Sequence, residues 1–274
     1  MPRHIACLTF DHDNISPYIA RGQASPTMVS RCEFGIVAIP RILALLKKYE
    51  IRASFFTPGH TIESYPACVA KVIEAGHEIA HHGWTHRVPA TLERAEEEND
   101  LARGIETIRR VTGRAPRGYR SPSWDFSEHT LDLLIDHGFE YDSSLMGHDH
   151  DCYPARRHGE YPLLQPMRHG EETALIEMPI SWSLDDFPHF EFSRSPAGLL
   201  PGLMNAGLVL ENFVNDFRYM TRETEWGILT YTFHPHVIGR GHRMLMLEQL
   251  ILALQGLGAE FMAMEDALDA WRAR

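Results

Sequence analysis

Short runs rich in β-branched and aromatic residues alternate along this chain with longer runs whose apolar residues recur at helical spacing. Strands are predicted at Ile5–Phe10, Ala53–Thr57, Glu78–His81, Gly118–Arg120, Tyr141–Ser143, Ala174–Pro179, Ile228–Phe233 and Glu260–Ala263. Helices are predicted over Gly35–Tyr49, Tyr65–Ala75, Thr91–Val111, Ser127–His137, Arg243–Leu257 and Ala267–Ala273. Thr91 and Ser127 stand where an N-cap is wanted, and Gly76, Gly113 and Gly138 where a helix stops. The alternation shows no linker and no internal repeat. Alternation of this kind means a parallel sheet covered by helices, either as a barrel or as a doubly wound sheet. About eight such units in 274 residues fit one closed or nearly closed α/β barrel, a single domain over 1–274. In either arrangement a site gathers at the carboxyl ends of the strands.

Those ends carry chemistry. The first strand runs into Thr9-Phe10-Asp11-His12-Asp13, and the third into His81-His82-Gly83-Trp84-Thr85-His86. The fourth runs into Arg120-Ser121-Pro122-Ser123-Trp124-Asp125, and the seventh into Thr232-Phe233-His234-Pro235-His236. Each has a bland reading alone: a solvated acidic loop, a surface arginine, a satisfied core histidine. Four such groups at four strand ends are harder to dismiss. Two imidazoles and one carboxylate make a three-ligand catalytic zinc set that leaves a position for water. An arginine orients a carboxylate, and a histidine supplies a proton.

Composition narrows the partners. Lys and Arg number 26 against 37 Asp and Glu, a net charge of −11, with no basic run. That balance argues against nucleic acid and anionic membrane surfaces. The four cysteines form no CxxC pair, so no disulfide framework or cysteine-rich zinc module is indicated. No apolar run approaches the length of a membrane span, and the N-terminus is apolar only from Ile5 to Phe10. A cytoplasmic protein acting on a small molecule is expected.

The ordered set resembles the polysaccharide deacetylase family, carbohydrate esterase family 4 with its nodulation-protein-B homology domain. Thr9-Phe10-Asp11-His12-Asp13 is similar to the family's TFDDG-like first motif with one residue inserted between the acids. His82-Gly83-Trp84-Thr85-His86 is similar to its His-Ser/Thr-x-x-His motif, with Gly in place of the hydroxyl residue. Arg120-Ser121-Pro122-Ser123-Trp124 resembles the third motif, Asp142-Ser143-Ser144 a later Asp-Ser segment, and Phe233-His234-Pro235 the last. The spaced acids, the 177–186 segment and His234-Pro235-His236-Val237-Ile238-Gly239-Arg240 resemble an intracellular subfamily. Its members include a cytoplasmic-type peptidoglycan deacetylase, cyclic imide hydrolases and a metal-independent allantoinase.

The resemblance implies a single distorted (β/α)7-type barrel and a hydrolase of carbon–nitrogen bonds other than peptide bonds. It implies that Asp13, His82 and His86 hold one divalent metal, zinc before cobalt or nickel. Asp11 is then the general base, Arg120 its ion-pair partner, and His234 the acid that protonates the leaving nitrogen. A backbone N–H near Ser123 or Trp124 faces the oxyanion. Trp182, Asp186 and Phe187 follow a strand, where pocket lining and core packing both stay open. His81 is expected on the opposite side from His82, and His148-Asp149-His150-Asp151-Cys152 reads as a solvated or rim loop. Substrate alternatives are an N-acetyl sugar and a cyclic imide or ureide. The other readings are a metal-independent, allantoinase-like hydrolase and a non-catalytic carbohydrate-binding protein. The subfamily is usually oligomeric, so a homodimer or homotetramer is expected. Leu199, Leu200, Leu203, Leu208, Leu210 and Phe213, within 196–222, offer a contact surface or simple core packing.

Overall fold

The strand β1 (Arg3–Asp11) is paired along both edges and shows how the sequence builds both faces of the sheet. Side chains alternate along a strand. Ala6, Leu8 and Phe10 therefore face outward, into a core shared with the covering helices. Ile5 and Cys7 face inward, with Phe56, Ala80, Tyr141, Met178 and Met264. The structure is a computed structural model and describes residues 3–195, 198–200 and 202–274.

The remaining strands are β2 (Ser54–Thr57), β3 (Glu78–His81), β4 (Gly118–Tyr119), β5 (Tyr141–Asp142), β6 (Tyr153–Arg157), β7 (Glu171–Glu177), β8 (Ser193–Ser195), β9 (Gly198–Leu200), β10 (Trp226–Phe233) and β11 (Glu260–Phe261). The main sheet runs β10-β1-β2-β3-β4-β5-β7-β6. Every neighbouring pair from β10 to β7 is parallel. β11 also pairs with β1, at Ile5 and Ala6, below the stretch Thr9–Asp11 that β2 occupies. After β7 the chain returns to β10 through a parallel bridge between Asp185 and Thr232. The sheet thus curls into the distorted α/β barrel expected of the alternation, and its ends meet beside the strands' carboxyl termini.

Helices Phe34–Lys48, Pro66–Glu74, Ala206–Glu223 and Gly241–Gly256 cover one outer flank. Phe10 stacks on Phe55 with ring centres 4.8 Å apart, and Phe213 packs against Tyr231 and Phe233. Among the described residues, no helix is long and apolar enough to cross a membrane.

Four expectations change. The sheet is mixed, because β6 pairs antiparallel with β7 around a bulge after Pro154. The helix expected from Thr91 spans Arg94–Thr112 instead. Thr91 closes a single 3₁₀ turn, while Glu93 caps the helix and its N–H donates to Glu96 Oε2 at 3.3 Å. Gly113 does stop it, with φ +79°. Helices Gly59–Ser64 and Ala206–Glu223 were not foreseen. Finally, Phe213 is fully buried and is core rather than contact surface, whereas Leu203 and Leu208 are exposed. Pro196, Ala197 and Pro201, with the side chains of Leu199 and Leu200, lie outside the described residues.

Candidate active site

Asp11 ends β1 and Asp13 lies two residues on, so alternation aims both carboxylates into the barrel mouth. Both are almost wholly buried. A buried carboxylate needs a partner with most of its donors satisfied. Arg120, just past β4 and fully buried, is that partner for Asp11: Nη1 donates to Asp11 Oδ1 at 2.7 Å. Its other donors reach Thr9 Oγ1 at 2.9 Å, Ser143 O at 3.0 Å and Ser143 Oγ at 3.1 Å. The guanidinium lies 4.0 Å from the centre of the Phe56 ring. Arg120 therefore fixes where Asp11 points.

His82 follows β3, and its Nδ1 donates to the Arg120 carbonyl at 2.7 Å. That bond leaves the Nε2 lone pair facing Asp13 Oδ1 at 3.5 Å. His86 Nε2 lies 3.5 Å from Asp13 Oδ2. Ligand atoms on a tetrahedral ion with bonds of ~2.1 Å are about 3.4 Å apart. The three groups offer ligand atoms within 4.8 Å of one another, and Asp13 Oδ1 is buried without a hydrogen-bond partner. This donor set fits a divalent cation. The loop reaching His86 is held in an unusual backbone: φ is +70° at Gly83 and +57° at His86. It is pinned by Gly59 N to Gly83 O at 3.1 Å, His60 N to Trp84 O at 2.7 Å and Trp84 N to Asp100 Oδ2 at 2.6 Å. Burial drops the His86 pKa to about 4. Burial pushes Asp13 upward, but His86, His82 and His234 outweigh it and bring Asp13 to about 2. A neutral imidazole and an ionised carboxylate are the forms that bind metal.

His234 follows β10 on the opposite flank. Its backbone N–H and its ring Nδ1 both donate to Asp186 Oδ1, at 3.0 and 2.9 Å, and Asp185 Oδ1 lies 3.4 Å from Nδ1. Nε2 then faces the acids, 3.7 Å from Asp13 Oδ2 and 4.0 Å from Asp11 Oδ2. Burial alone would lower its pKa. Asp185 and the bond to Asp186 outweigh burial and hold it well above an ordinary imidazole. His234, when protonated, aims its free Nε2–H inward.

These groups floor a cavity of about 190 Å³. Ser123, Trp124 and Trp182 wall it, with the two indoles 6.5 Å apart and inclined by 16°. Ser123 and Trp124 both have positive φ, +61° and +54°. The Trp124 N–H is spent on Ser121 O at 2.9 Å, which leaves Ser123 to offer a backbone donor. Asp186 is corrected: it is fully buried behind His234, and its neighbour Asp185 lines the cavity. The bridge between Asp185 and Thr232 sets which of the two faces in, and no sequence pattern records it. Phe187 lines the cavity, as do Pro17 and Arg21, which sequence reasoning missed. His81 points away, with Nε2 3.1 Å from Leu101 O. The 148–152 loop is outside both acid–histidine groupings found among the described residues; His148 accepts there from the N–H groups of His150 and Asp151.

Comparison with known proteins places this geometry. A family model described as polysaccharide deacetylase matches residues 32–141. A peptidoglycan deacetylase of Helicobacter pylori is 37% identical over 242 residues, covering 84% of this chain and 82% of that protein. A solved polysaccharide deacetylase structure from Mycobacterium smegmatis is 30% identical, covers 99% of this chain and 91% of that one, and superposes with a TM-score of 0.85. An allantoinase structure shares the fold, with a TM-score of 0.80 at 18% identity and coverage of 99% and 91%.

Proposed function

Because the chain belongs to the polysaccharide deacetylase family, hydrolases of amide C–N bonds, we propose that it is a metal-dependent hydrolase of small non-peptide amides, either cyclic imides and ureides or N-acetyl compounds. The observation that carries the reading is the convergence of Asp13, His82 and His86 on one point, with Asp11 and His234 flanking it. The metal is zinc, for which two imidazoles and a carboxylate suit well. When bound, it would polarise the scissile carbonyl and acidify a water molecule.

The chain's own groups supply the proton movements. Asp11 accepts the proton of the attacking water at Oδ2, since Arg120 holds Oδ1. His234 gives its Nε2 proton to the leaving nitrogen as the C–N bond breaks, which an amide requires because a bare amide anion leaves poorly. Asp186 keeps the ring in place during the transfer. The Ser123 backbone N–H faces the developing oxyanion. The products are a carboxylate and an amine.

A cavity of about 190 Å³ with two indoles on its wall favours compact substrates over long polymers. Its four cysteines are buried free thiols, which favours a cytoplasmic setting. Exposed Leu203 and Leu208 favour a homodimer or homotetramer. The test is a panel of cyclic imides, allantoin and N-acetylglucosamine oligomers, each run with zinc and with chelator. Turnover that zinc supports and chelator abolishes is expected; turnover indifferent to chelator refutes metal dependence. His86→Ala should lose bound zinc with an unchanged circular dichroism spectrum, because the fold rests on its core; retention of stoichiometric zinc refutes the ligand set.

A further inference from the structure

Three carboxylates line the cavity: Asp11, Asp13 and Asp185. The whole chain carries −11, so its general field repels anions. Against that background one rim residue has the opposite sign. Arg21 is exposed at the cavity mouth, and among the described residues no carboxylate lies within ion-pair distance of it. It stands one helical turn from Pro17, which lines the same wall.

Arg21 does not hold its own segment together; other residues do. Ser16 Oγ lies 2.9 Å from His60 Nδ1 and 3.1 Å from Thr61 Oγ1. Tyr18 donates to Glu191 Oε1 at 2.8 Å, and Glu191 pairs with Arg31 at 2.5 Å. A wall anchored at Ser16 and Tyr18 therefore carries a guanidinium it does not need for packing.

We propose that Arg21 is a specificity-determining residue that makes the site prefer amides that also bear an anionic carboxylate, gripped at the mouth while the amide sits on the floor. The inference rests on the hydrolase reading above and names its substrate class. A guanidinium offers two parallel N–H donors to a carboxylate, a geometry an ammonium lacks. The indole pair of Trp124 and Trp182 then supports the body of the substrate between the two ends.

The test uses pairs in which one member adds a carboxylate-bearing substituent: N-acetylglucosamine against N-acetylmuramic acid, which adds a lactyl ether, and hydantoin against hydantoin-5-acetic acid, which adds a carboxymethyl group. The quantity read is the ratio of kcat/KM, acidic over neutral member, for the zinc-loaded protein. Arg21→Gln should lower that ratio by about 5-fold, through KM, the scale of a solvent-exposed ion pair. Arg21→Lys should restore part of it. Raising salt from about 0.02 M to about 0.5 M should erode the wild-type ratio and leave that of Arg21→Gln flat. The same ratio read from calorimetric dissociation constants keeps the two proposals apart. If no amide is turned over, the hydrolase reading fails while the binding ratio still tests Arg21. A ratio that Arg21→Gln leaves unchanged in both binding and turnover overturns the proposal.

Discussion

Replacing Asp186 by asparagine separates the charge behind His234 from the geometry that holds it. Asp186 Oδ1 accepts two bonds, from the His234 backbone N–H at 3.0 Å and from Nδ1 at 2.9 Å. An asparagine oxygen can accept both, so the ring should stay where it is and only the negative charge is removed. A hydrogen bond to a charged group is worth ~1.5–3 kcal/mol against ~1 for a neutral one. The difference, about 0.5–2 kcal/mol, corresponds to about one pKa unit. Asp185, 3.4 Å away, still raises the imidazole, so the shift should not be larger. A general acid works only while protonated. A lower pKa therefore moves the loss of activity to lower pH. The expected result is an alkaline limb of kcat displaced downward by about one unit. The assay is a kcat profile on an amide and on an activated ester with the same acyl group. The ester needs no protonation of its leaving group and should show no displaced limb. An amide limb that stays put or moves up, or an ester limb that moves with it, would refute the role given to His234.

Asp11→Asn should keep zinc and cut turnover by ~10²-fold or more, while Asp13→Asn should lose zinc affinity first; metal analysis beside single-turnover rates decides, and the reverse pattern swaps the roles. Asp142 and Glu177 form a buried acid pair beside the Ser143–Arg120 bond. Burial raises Asp142 to about 6 and Glu177 well above the carboxylate range. The folded state then holds protons that the unfolded chain releases, so stability falls as pH climbs from about 4 through about 6 and beyond. Glu177→Gln should flatten that fall in urea midpoints; an unchanged slope refutes the account. Light scattering at micromolar concentration should give a dimer or tetramer mass, and a monomer mass removes the expectation attached to Leu203 and Leu208.

What could be read in the sequence was what a strand's alternation dictates. Asp11 and Asp13 share a face because they are two residues apart on an extended segment, and His81 turns away from His82 for the same reason. Arg120 and His234 were found because parallel strands deliver their carboxyl ends to one rim. What stayed hidden depends on contacts between distant segments. The bridge from Asp185 to Thr232 decides that Asp185, not Asp186, faces the cavity. Arg21 sits at the end of a five-residue helix with no periodic pattern to mark its side. β6 has little sequence signal, since Pro154 reads against a strand, yet it sits at the sheet's edge, where a bulge accommodates it.

The shared edge of β1 has a consequence for how the molecule comes into being on the ribosome. β1 is made well before its partners: β10 fills one of its edges and β11 completes the other. Both partners lie more than two hundred positions downstream. Such long-range pairing belongs to slow, high-contact-order folding. During synthesis β1 has only β2 to template it, at Thr9–Asp11. A ribosome stalled before Trp226 would carry every proposed zinc ligand and still lack both the flanking strand β10 and His234, the acid that follows it.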